Sequence, residues 1–122
     1  MHLVPHLQAP AYDAPGHFGF SMKRLQGRNA GPADTAWIGL SLVEPGGHTT
    51  LAASPQEKFY VVVEGVIEIT GVSPEGDSTI ATLGPLDSCR IAPGEGRLIF
   101  NRSGQPARVL LVMAEAREPG PL

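Results

Sequence analysis

Two cationic side chains, Lys58 and Arg97, lie on separate predicted strands and have the clearest chemistry in this sequence. Residues two apart on a strand point to the same face, so Lys58 shares a face with Tyr60, and Arg97 shares a face with Asn101. Protonated lysine and arginine have no lone pair for a metal ion, and each requires an anionic partner when it is buried. If both faces point inward, the sequence predicts a cavity that contains two cations.

Two sources of negative charge would satisfy these cations. One is a carboxylate of the chain itself, which would form a structural salt bridge. The carboxylates considered are Glu57, Glu64, Asp87 and Glu95. The other is an anionic small molecule, which Arg97 would hold through paired hydrogen bonds. Lys58 would then act as a point charge or, if burial and Arg97 lower its pKa, as a proton acceptor. The sequence is consistent with both the salt bridge and the bound anion.

Other reactive side chains give weaker signals. His48 follows Gly47 at a strand entrance and is a second candidate base, although a solvated turn is the commoner place for such a histidine. The sequence favours His17 as a surface or interface residue. Cys89 is the only cysteine, which excludes an internal disulfide and fits a reducing compartment.

The elements that must position these residues are short β-strands. The 122 residues include 15 glycines and 12 prolines, and short alternating apolar runs between turn residues indicate an all-β sandwich or barrel. The predicted strands are 36–43, 58–63, 66–72, 78–83, 89–92, 97–101 and 107–114. We expect one domain at this length, with an N-terminal arm at 1–16, the barrel at 17–116 and a C-terminal tail at 117–122.

Two stretches resemble the sequence motifs of the cupin family. Residues 45–65 align without a gap with the first motif, which has P-G, then H-x-H, a glutamate and a final glycine. Residues 84–101 are similar to the second motif, with Leu86 in place of its glycine and Pro93 one position late in its turn. The resemblance implies a cupin-like double-stranded β-helix, which is an all-β jelly-roll barrel.

The same resemblance identifies the positions where the family has metal ligands. In this sequence, the residues at those positions bind a metal poorly or not at all. The two motif histidines correspond to Ala52 and Ser54, the glutamate to Lys58, and the last histidine to Arg97. The resemblance implies that these side chains point into the barrel, and we expect neither a metal nor another cofactor there. It also implies a homodimer, because small cupins commonly pair through sheet edges and terminal strands.

Charge and hydropathy exclude several classes of partner. Nine basic and 12 acidic residues give a formal charge of −3, and neither sign forms a block, so a nucleic acid is not expected. No apolar run reaches the length of a membrane span, and the first residues lack a signal-peptide pattern. We therefore expect a cytoplasmic protein without a membrane partner.

These observations predict metal-independent binding of a small organic anion, such as a carboxylate, inside the barrel. The predicted ligand-binding residues are Ser54, Lys58, Tyr60, Arg97 and Asn101. One alternative is a metal-free isomerase, epimerase or lyase that uses Lys58 or His48 together with Arg97. The others are a metal-dependent enzyme such as a dioxygenase, rebuilt around His48, and a non-catalytic interaction scaffold. The sequence alone does not decide whether the chain is an enzyme.

Overall fold

The computed structural model describes residues 1–115, and nearly all of its regular structure is β-strand. The strands are β1 (Ala11–Tyr12), β2 (His17–Gln26), β3 (Ala36–Thr49), β4 (Ala52–Ala53), β5 (Lys58–Glu64), β6 (Ile67–Val72), β7 (Ser78–Leu83), β8 (Ser88–Ile91), β9 (Gly96–Phe100) and β10 (Ala107–Ala114). Two short 3-10 helices, His6–Gln8 and Arg28–Ala30, precede β1 and follow β2. The predicted tail, 117–122, and residue 116 lie outside the described residues. Within residues 1–115, no helix has the length and apolar character needed to cross a membrane.

All seven predicted strands are present, and the all-β prediction is confirmed. Six of them have bounds within one residue of the prediction, whereas the strand predicted at 36–43 continues as β3 to Thr49. The chain passes through the Pro45-Gly46-Gly47 turn signal because Gly46 adopts a φ of 80°, which glycine reaches without steric strain. The strand therefore bends at this point instead of ending.

The strands are antiparallel and curve into a barrel of two layers. Hydrogen-bonded neighbours follow the order β7, β6, β9, β3, β10, β5 and β8, while β2 pairs with β3, β1 with β2 and β4 with β9. The first part of β3 pairs with β10, and His48 near its end pairs with Phe100 of β9. The bent strand β3 thus connects the two layers that enclose the core.

The core consists of alternate residues from both layers. In β5, Lys58, Tyr60 and Val62 are buried while Phe59 is exposed, as the period of two predicts. In β9, Arg97 and Ile99 are buried in the same way. The packed cluster contains Val43, Tyr60, Val62, Ile67, Ile69, Leu83, Ile91, Ile99, Ala107 and Val109. The alternation of β5 and β9 therefore places the side chains of Lys58 and Arg97 in the interior of the barrel, next to the apolar core.

Two turn positions show how the motif glycines act in this fold. Gly65 ends the first motif with a φ of 78°, and a Cβ there would lie 2.7 Å from the carbonyl oxygen of Pro106. A side chain at position 65 would therefore displace backbone. Leu86 replaces the glycine of the second motif and still adopts a φ of 68°. This leucine is held in a conformation that costs an L-residue free energy.

Candidate functional site

A cavity of about 330 Å³ lies inside the barrel, next to the apolar core. Its polar and charged lining side chains are His17, Ser41, Ser54, Lys58 and Arg97, and three further side chains, Tyr12, Trp37 and Tyr60, present aromatic rings with a polar group. Apolar side chains form most of the remaining wall, and the lining found within residues 1–115 includes no Asp or Glu. The cavity is therefore an apolar pocket with one cationic region.

Lys58 and Arg97 define that cationic region. They are only 5% and 6% exposed, and both line the cavity. Lys58 begins β5, while Arg97 lies in β9 opposite Ala52 of β4. Burial, and after it the charge of Arg97, lowers the pKa of Lys58, because a low-dielectric site disfavours a second positive charge. The structure thus brings together the two cations that strand alternation assigned to inner faces.

Carboxylates within residues 1–115 do not form ion pairs with these cations. Within residues 1–115, neither Lys58 nor Arg97 takes part in a salt bridge. The four carboxylates considered from the sequence form two surface ion pairs and two hydrogen bonds to backbone N–H groups. Those contacts are Glu57 with Arg90, Glu64 with Arg108, Asp87 with Gly84, and Glu95 with Ala92. The salt-bridge alternative is therefore wrong for the residues that the structure describes.

The guanidinium of Arg97 keeps an unused hydrogen-bond donor. Its Nη1 donates to the carbonyl oxygen of Thr50 at 3.3 Å, but the buried Nε has no acceptor among residues 1–115. Tyr60 lies beside it, and burial raises the pKa of the Tyr60 phenol while the charge of Arg97 acts in the opposite direction. A buried donor without an acceptor costs free energy. A ligand that accepts this hydrogen bond would recover that cost.

His17 also lines the cavity, although the sequence favoured it as a surface or interface residue. The pairing of β2 with β3 shifts between Phe18 and Phe20, where Gly19 has a φ of 69°. This β-bulge interrupts the alternation, so His17 and Phe20 both reach the interior. Their rings pack edge to face with centroids 5.0 Å apart. The glycine inside an apolar run was the available signal, because such a glycine often marks a bulge.

The N-terminal segment forms another wall of the cavity. Tyr12 of β1 packs edge-on against Trp37, with ring centroids 5.6 Å apart. The guanidinium carbon of Arg24 lies 3.9 Å from the Tyr12 ring centroid and 4.4 Å from that of Trp37. Antiparallel pairing of β1 with β2 holds this segment against the barrel. Part of the predicted arm therefore contributes directly to the site.

Asn101 is fully buried but does not line the cavity. Its Nδ2 donates to the carbonyl oxygens of Val43 at 3.0 Å and Gln105 at 2.8 Å. Its Oδ1 accepts hydrogen bonds from the backbone N and the Oγ of Ser103, at 3.0 and 2.7 Å. The amide is therefore used within the turn that follows β9, and no free polar atom of Asn101 faces a ligand.

His48 lies away from the cavity, on the outer face of the barrel. Its ring stacks between Phe18 and Phe100, with centroid distances of 5.1 and 5.7 Å. Ser54, in contrast, does line the cavity, and its hydroxyl makes local hydrogen bonds with the backbone of Gln56. Of the predicted site residues, the structure brings together Ser54, Lys58, Tyr60 and Arg97.

The four positions that correspond to cupin metal ligands line this cavity, but their side chains do not fit a metal ion. Ala52 has no donor atom, and Lys58 and Arg97 would repel a cation. Ser54 offers only a neutral hydroxyl. No group of three or more His, Cys, Asp or Glu that could hold a metal occurs in the part of the chain that the structure describes. The side chains at these four positions therefore do not fit the metal site that the cupin motifs provide.

Comparison with known proteins places this geometry in a family. No family model matches the chain. A protein of Mycobacterium tuberculosis named beta-D-galactosidase is 42% identical over 114 residues, which is 93% of this chain and 94% of that protein.

Two solved structures extend the comparison to the fold. The polyketide cyclase RemF from Streptomyces resistomycificus has a TM-score of 0.75 and 25% identity, over 98% of this chain and 82% of its own. A sugar phosphate isomerase of the cupin superfamily from Silicibacter pomeroyi has a TM-score of 0.66 and 26% identity, over 87% of this chain and 69% of its own. The motifs, the jelly-roll barrel and these relatives agree, and the chain belongs to the cupin superfamily.

Proposed function

We propose that this cupin binds a small organic anion in its barrel without a metal ion. The observation that carries the proposal is the pair of buried cations, Lys58 and Arg97, in a cavity whose lining within residues 1–115 includes no carboxylate. An anionic group would neutralise the pair and accept the free Nε hydrogen bond of Arg97. The apolar walls would contact the rest of the ligand. A small carboxylic acid with an aromatic or aliphatic body matches this arrangement.

The size and polarity of the cavity support the same ligand class. At about 330 Å³ the cavity lies at the small end of the range of roughly 300–1,000 Å³ that is usual for ligand pockets. Coulomb attraction between an anion and two cations is much stronger in a desolvated pocket than in water. The carboxylate would therefore fix the orientation of the ligand, and apolar contact would add affinity.

Thermal-shift titration with benzoate, phenylacetate and short aliphatic acids tests this proposal. A ligand that binds only the folded state raises Tm with concentration, so we expect stabilisation of the wild type that Arg97→Ala removes and Lys58→Ala weakens. Arg90→Ala is the matched control, because Arg90 pairs with Glu57 on the surface and does not line the cavity. Absence of any shift in the wild type, or an undiminished shift in Arg97→Ala, would contradict the proposal.

A metal-free lyase, isomerase or epimerase is a second candidate function. The pKa of Lys58, which burial and the charge of Arg97 lower, favours it, because a lowered pKa makes the neutral amine, the form that takes a proton from a bound acid, easier to reach. Arg97 would stabilise the enolate charge that develops. Exchange of the α-hydrogen of a bound carboxylic acid for deuterium, followed by NMR, would detect this step. Lys58→Met should abolish the exchange, and a wild type that binds acids without exchange would restrict the function to binding.

The name of the 42% identical relative makes β-galactoside hydrolysis a third candidate. Most glycosidases use two carboxyl groups on either side of the scissile bond, and a few use a tyrosine nucleophile. The cavity lining within residues 1–115 provides no carboxyl group but includes Tyr60 beside Arg97. Such an activity would therefore depend on Tyr60. Release of nitrophenol from a nitrophenyl β-galactoside by the wild type, and its loss in Tyr60→Phe, would establish this candidate. No release would remove it.

We also propose that the chain forms a homodimer through the outer face of β3, β5 and β10. In the pairing register, Val112 lies opposite both Phe59 and Ile38. The apolar residues that share this face are Ile38, Leu40, Phe59, Val61, Leu110 and Val112. Phe59 is 42% exposed, and a contiguous apolar face of this kind is typical of association sites. Light scattering should give the dimer mass for the wild type and the monomer mass for Phe59→Glu, and a monomeric wild type would contradict the proposal.

A further inference from the structure

We infer that His17 is a hydrogen-bond acceptor of the cavity, and that the ligand is a small organic acid that also carries a hydroxyl group. This inference rests on the proposed function, because Lys58 and Arg97 are taken to hold the acid group. In addition to the two cations, His17 would determine which acids bind. The hydroxyl of the ligand would donate its hydrogen bond to Nε2 of His17.

The hydrogen bond on the other side of the ring fixes which nitrogen is free. Nδ1 of His17 lies 2.9 Å from the carbonyl oxygen of Pro15. A carbonyl oxygen only accepts hydrogen bonds, so Nδ1 carries the proton in the neutral ring and Nε2 carries the lone pair. The structure gives Nε2 no hydrogen-bond partner within residues 1–115. Nε2 is therefore available to a ligand in the cavity that His17 lines.

The other charged and nitrogen-bearing side chains that line the cavity cannot take this role. Protonated Lys58, Arg97 and the indole of Trp37 only donate hydrogen bonds. The lining hydroxyls of Tyr12, Ser41, Ser54 and Tyr60 donate as well as accept, and that of Ser54 already bonds to the backbone of Gln56. A ligand with only an acid group would match the donors but leave Nε2 without a partner. A hydroxy acid would satisfy both the hydrogen-bond donors and Nε2 of His17.

Burial and the neighbouring cations both favour the neutral ring of His17. Lys58 and Arg97 are the charged side chains in the cavity lining, where Tyr12 and Tyr60 are the other titratable groups, and the described lining includes no carboxylate. Burial has the largest effect and lowers the pKa of His17, the two cations lower it further, and backbone hydrogen bonds to Pro15 and Ala14 oppose them. Nε2 should therefore accept a hydrogen bond at neutral pH and become a donor once acid protonates the ring.

Two structural features orient His17. The bulge at Gly19 turns the residue inward, and the edge-to-face contact with Phe20 restrains the ring. Rigid placement matters, because a specificity residue must keep its acceptor in one position. A hydroxyl would therefore be recognised only at suitable positions on the acid.

Isothermal titration with matched pairs of acids tests the inference. The pairs are benzoate with 2-, 3- and 4-hydroxybenzoate, and phenylacetate with mandelate. At pH 7.5, we expect at least one hydroxy acid to bind the wild type about three- to tenfold more tightly than its partner, which is the range of one net hydrogen bond. In His17→Asn, whose amide is still able to donate towards Pro15, the ratio should fall to about one while benzoate still binds. His48→Asn, on the outer face, should keep the wild-type ratio.

The outcomes separate the inference from the proposed function. If no hydroxy acid is preferred, or if the preference persists in His17→Asn, the role of His17 is overturned while benzoate binding still supports the anion site. If the wild type binds no acid, both are overturned. Nitrogen-15 NMR of the wild-type imidazole gives a check that needs no variant. We expect the tautomer protonated at Nδ1, and protonation at Nε2 at neutral pH would contradict the inference.

Discussion

Arg97 and Asn101 face the same interior from one stretch of chain, yet their surroundings differ. All polar atoms of the Asn101 amide have partners, which are two backbone carbonyls and the backbone and hydroxyl of Ser103. Arg97 has one long hydrogen bond and a buried Nε without an acceptor among residues 1–115. Burial alone therefore does not distinguish structural from functional polar groups. The state of their hydrogen bonds does.

The two regions of the barrel therefore have different roles. Around Asn101, the polar group joins the turn after β9 to β3 and completes the packed core. Around Arg97, the polar groups line a cavity in which no carboxylate of residues 1–115 balances the positive charge. A fold gains nothing from an unpaired buried cation. The region that weakens the free protein is therefore the region assigned to ligand binding.

The largest effect on stability is expected at Asn101. Asn101→Ala would leave the carbonyl oxygen of Val43 and the backbone N of Ser103 without their Asn101 partner, while the carbonyl oxygen of Gln105 would keep its hydrogen bond from Ser103 Oγ. Unsatisfied buried groups cost about 1–3 kcal/mol each, so the free energy of unfolding should fall by about 3 kcal/mol. Urea denaturation measures this change. A loss below about 1 kcal/mol would show that the Asn101 network is not structural.

A smaller effect is expected at Gly39, behind the cavity wall. A Cβ at this position would lie 2.6 Å from the hydroxyl oxygen of Tyr12 and 3.0 Å from the Trp37 ring. Gly39→Ala should displace the Tyr12 ring, at a cost of about 1–2 kcal/mol for overpacking. It should also weaken binding of benzoate in a titration. Unchanged affinity would show that Tyr12 is not part of the binding wall.

The pH dependence of stability offers a further test of the cationic region. The folded-state pKa of Lys58 lies below its ordinary value of 10.5, so the unfolded chain binds more protons between these two values. Stability therefore rises with pH in that interval. Above about pH 10, the raised pKa values of Tyr12 and Tyr60 act in the opposite direction. Urea titrations measure the free energy of unfolding at each pH. As the pH increases towards 10, this free energy should rise more steeply for the wild type than for Lys58→Met. Parallel profiles would contradict a desolvated Lys58.

The smallest effect is expected at Leu86, which belongs to neither region. Its φ of 68° strains a leucine but suits a glycine, and its side chain is 81% exposed. Relief of about 1–2 kcal/mol of strain is partly offset by the greater flexibility of glycine in the unfolded chain. Leu86→Gly should therefore raise the free energy of unfolding by about 0.5–1 kcal/mol. Its affinity for benzoate should equal that of the wild type, which makes it a neutral reference for the binding experiments.

The strands could be predicted from the sequence because alternation is a local property, and the inward position of both cations followed from the cupin resemblance. Lys58 and Arg97 are separated by 39 positions, and both line the cavity. The period of two then placed Tyr60 on the same inner face as Lys58. The same rule also placed Asn101 inward, but alternation carries no information on hydrogen-bond partners. Only the folded turn around Ser103 shows that the Asn101 amide is already satisfied.

The N-terminal contribution to the site could not be predicted in this way. The strand that carries Tyr12 has two residues, which is too short for a periodic signal, and prolines flank it at positions 10 and 15. His17 lies beyond a bulge that reverses the alternation of β2. Both features depend on long-range pairing with the rest of the barrel. The inward position of His17 was therefore established by the structure, although Gly19 was a sequence signal of the bulge.

We propose that the burial of Lys58 and Arg97 serves ligand binding and does not stabilise the fold. Urea unfolding of the ligand-free double variant Lys58→Met/Arg97→Leu tests it most directly. Replacing buried charges by apolar side chains of similar size removes their desolvation cost. We expect the free energy of unfolding to rise by about 1 kcal/mol or more above that of the wild type. A fall of similar size would show that the two cations stabilise the barrel itself and would contradict the account.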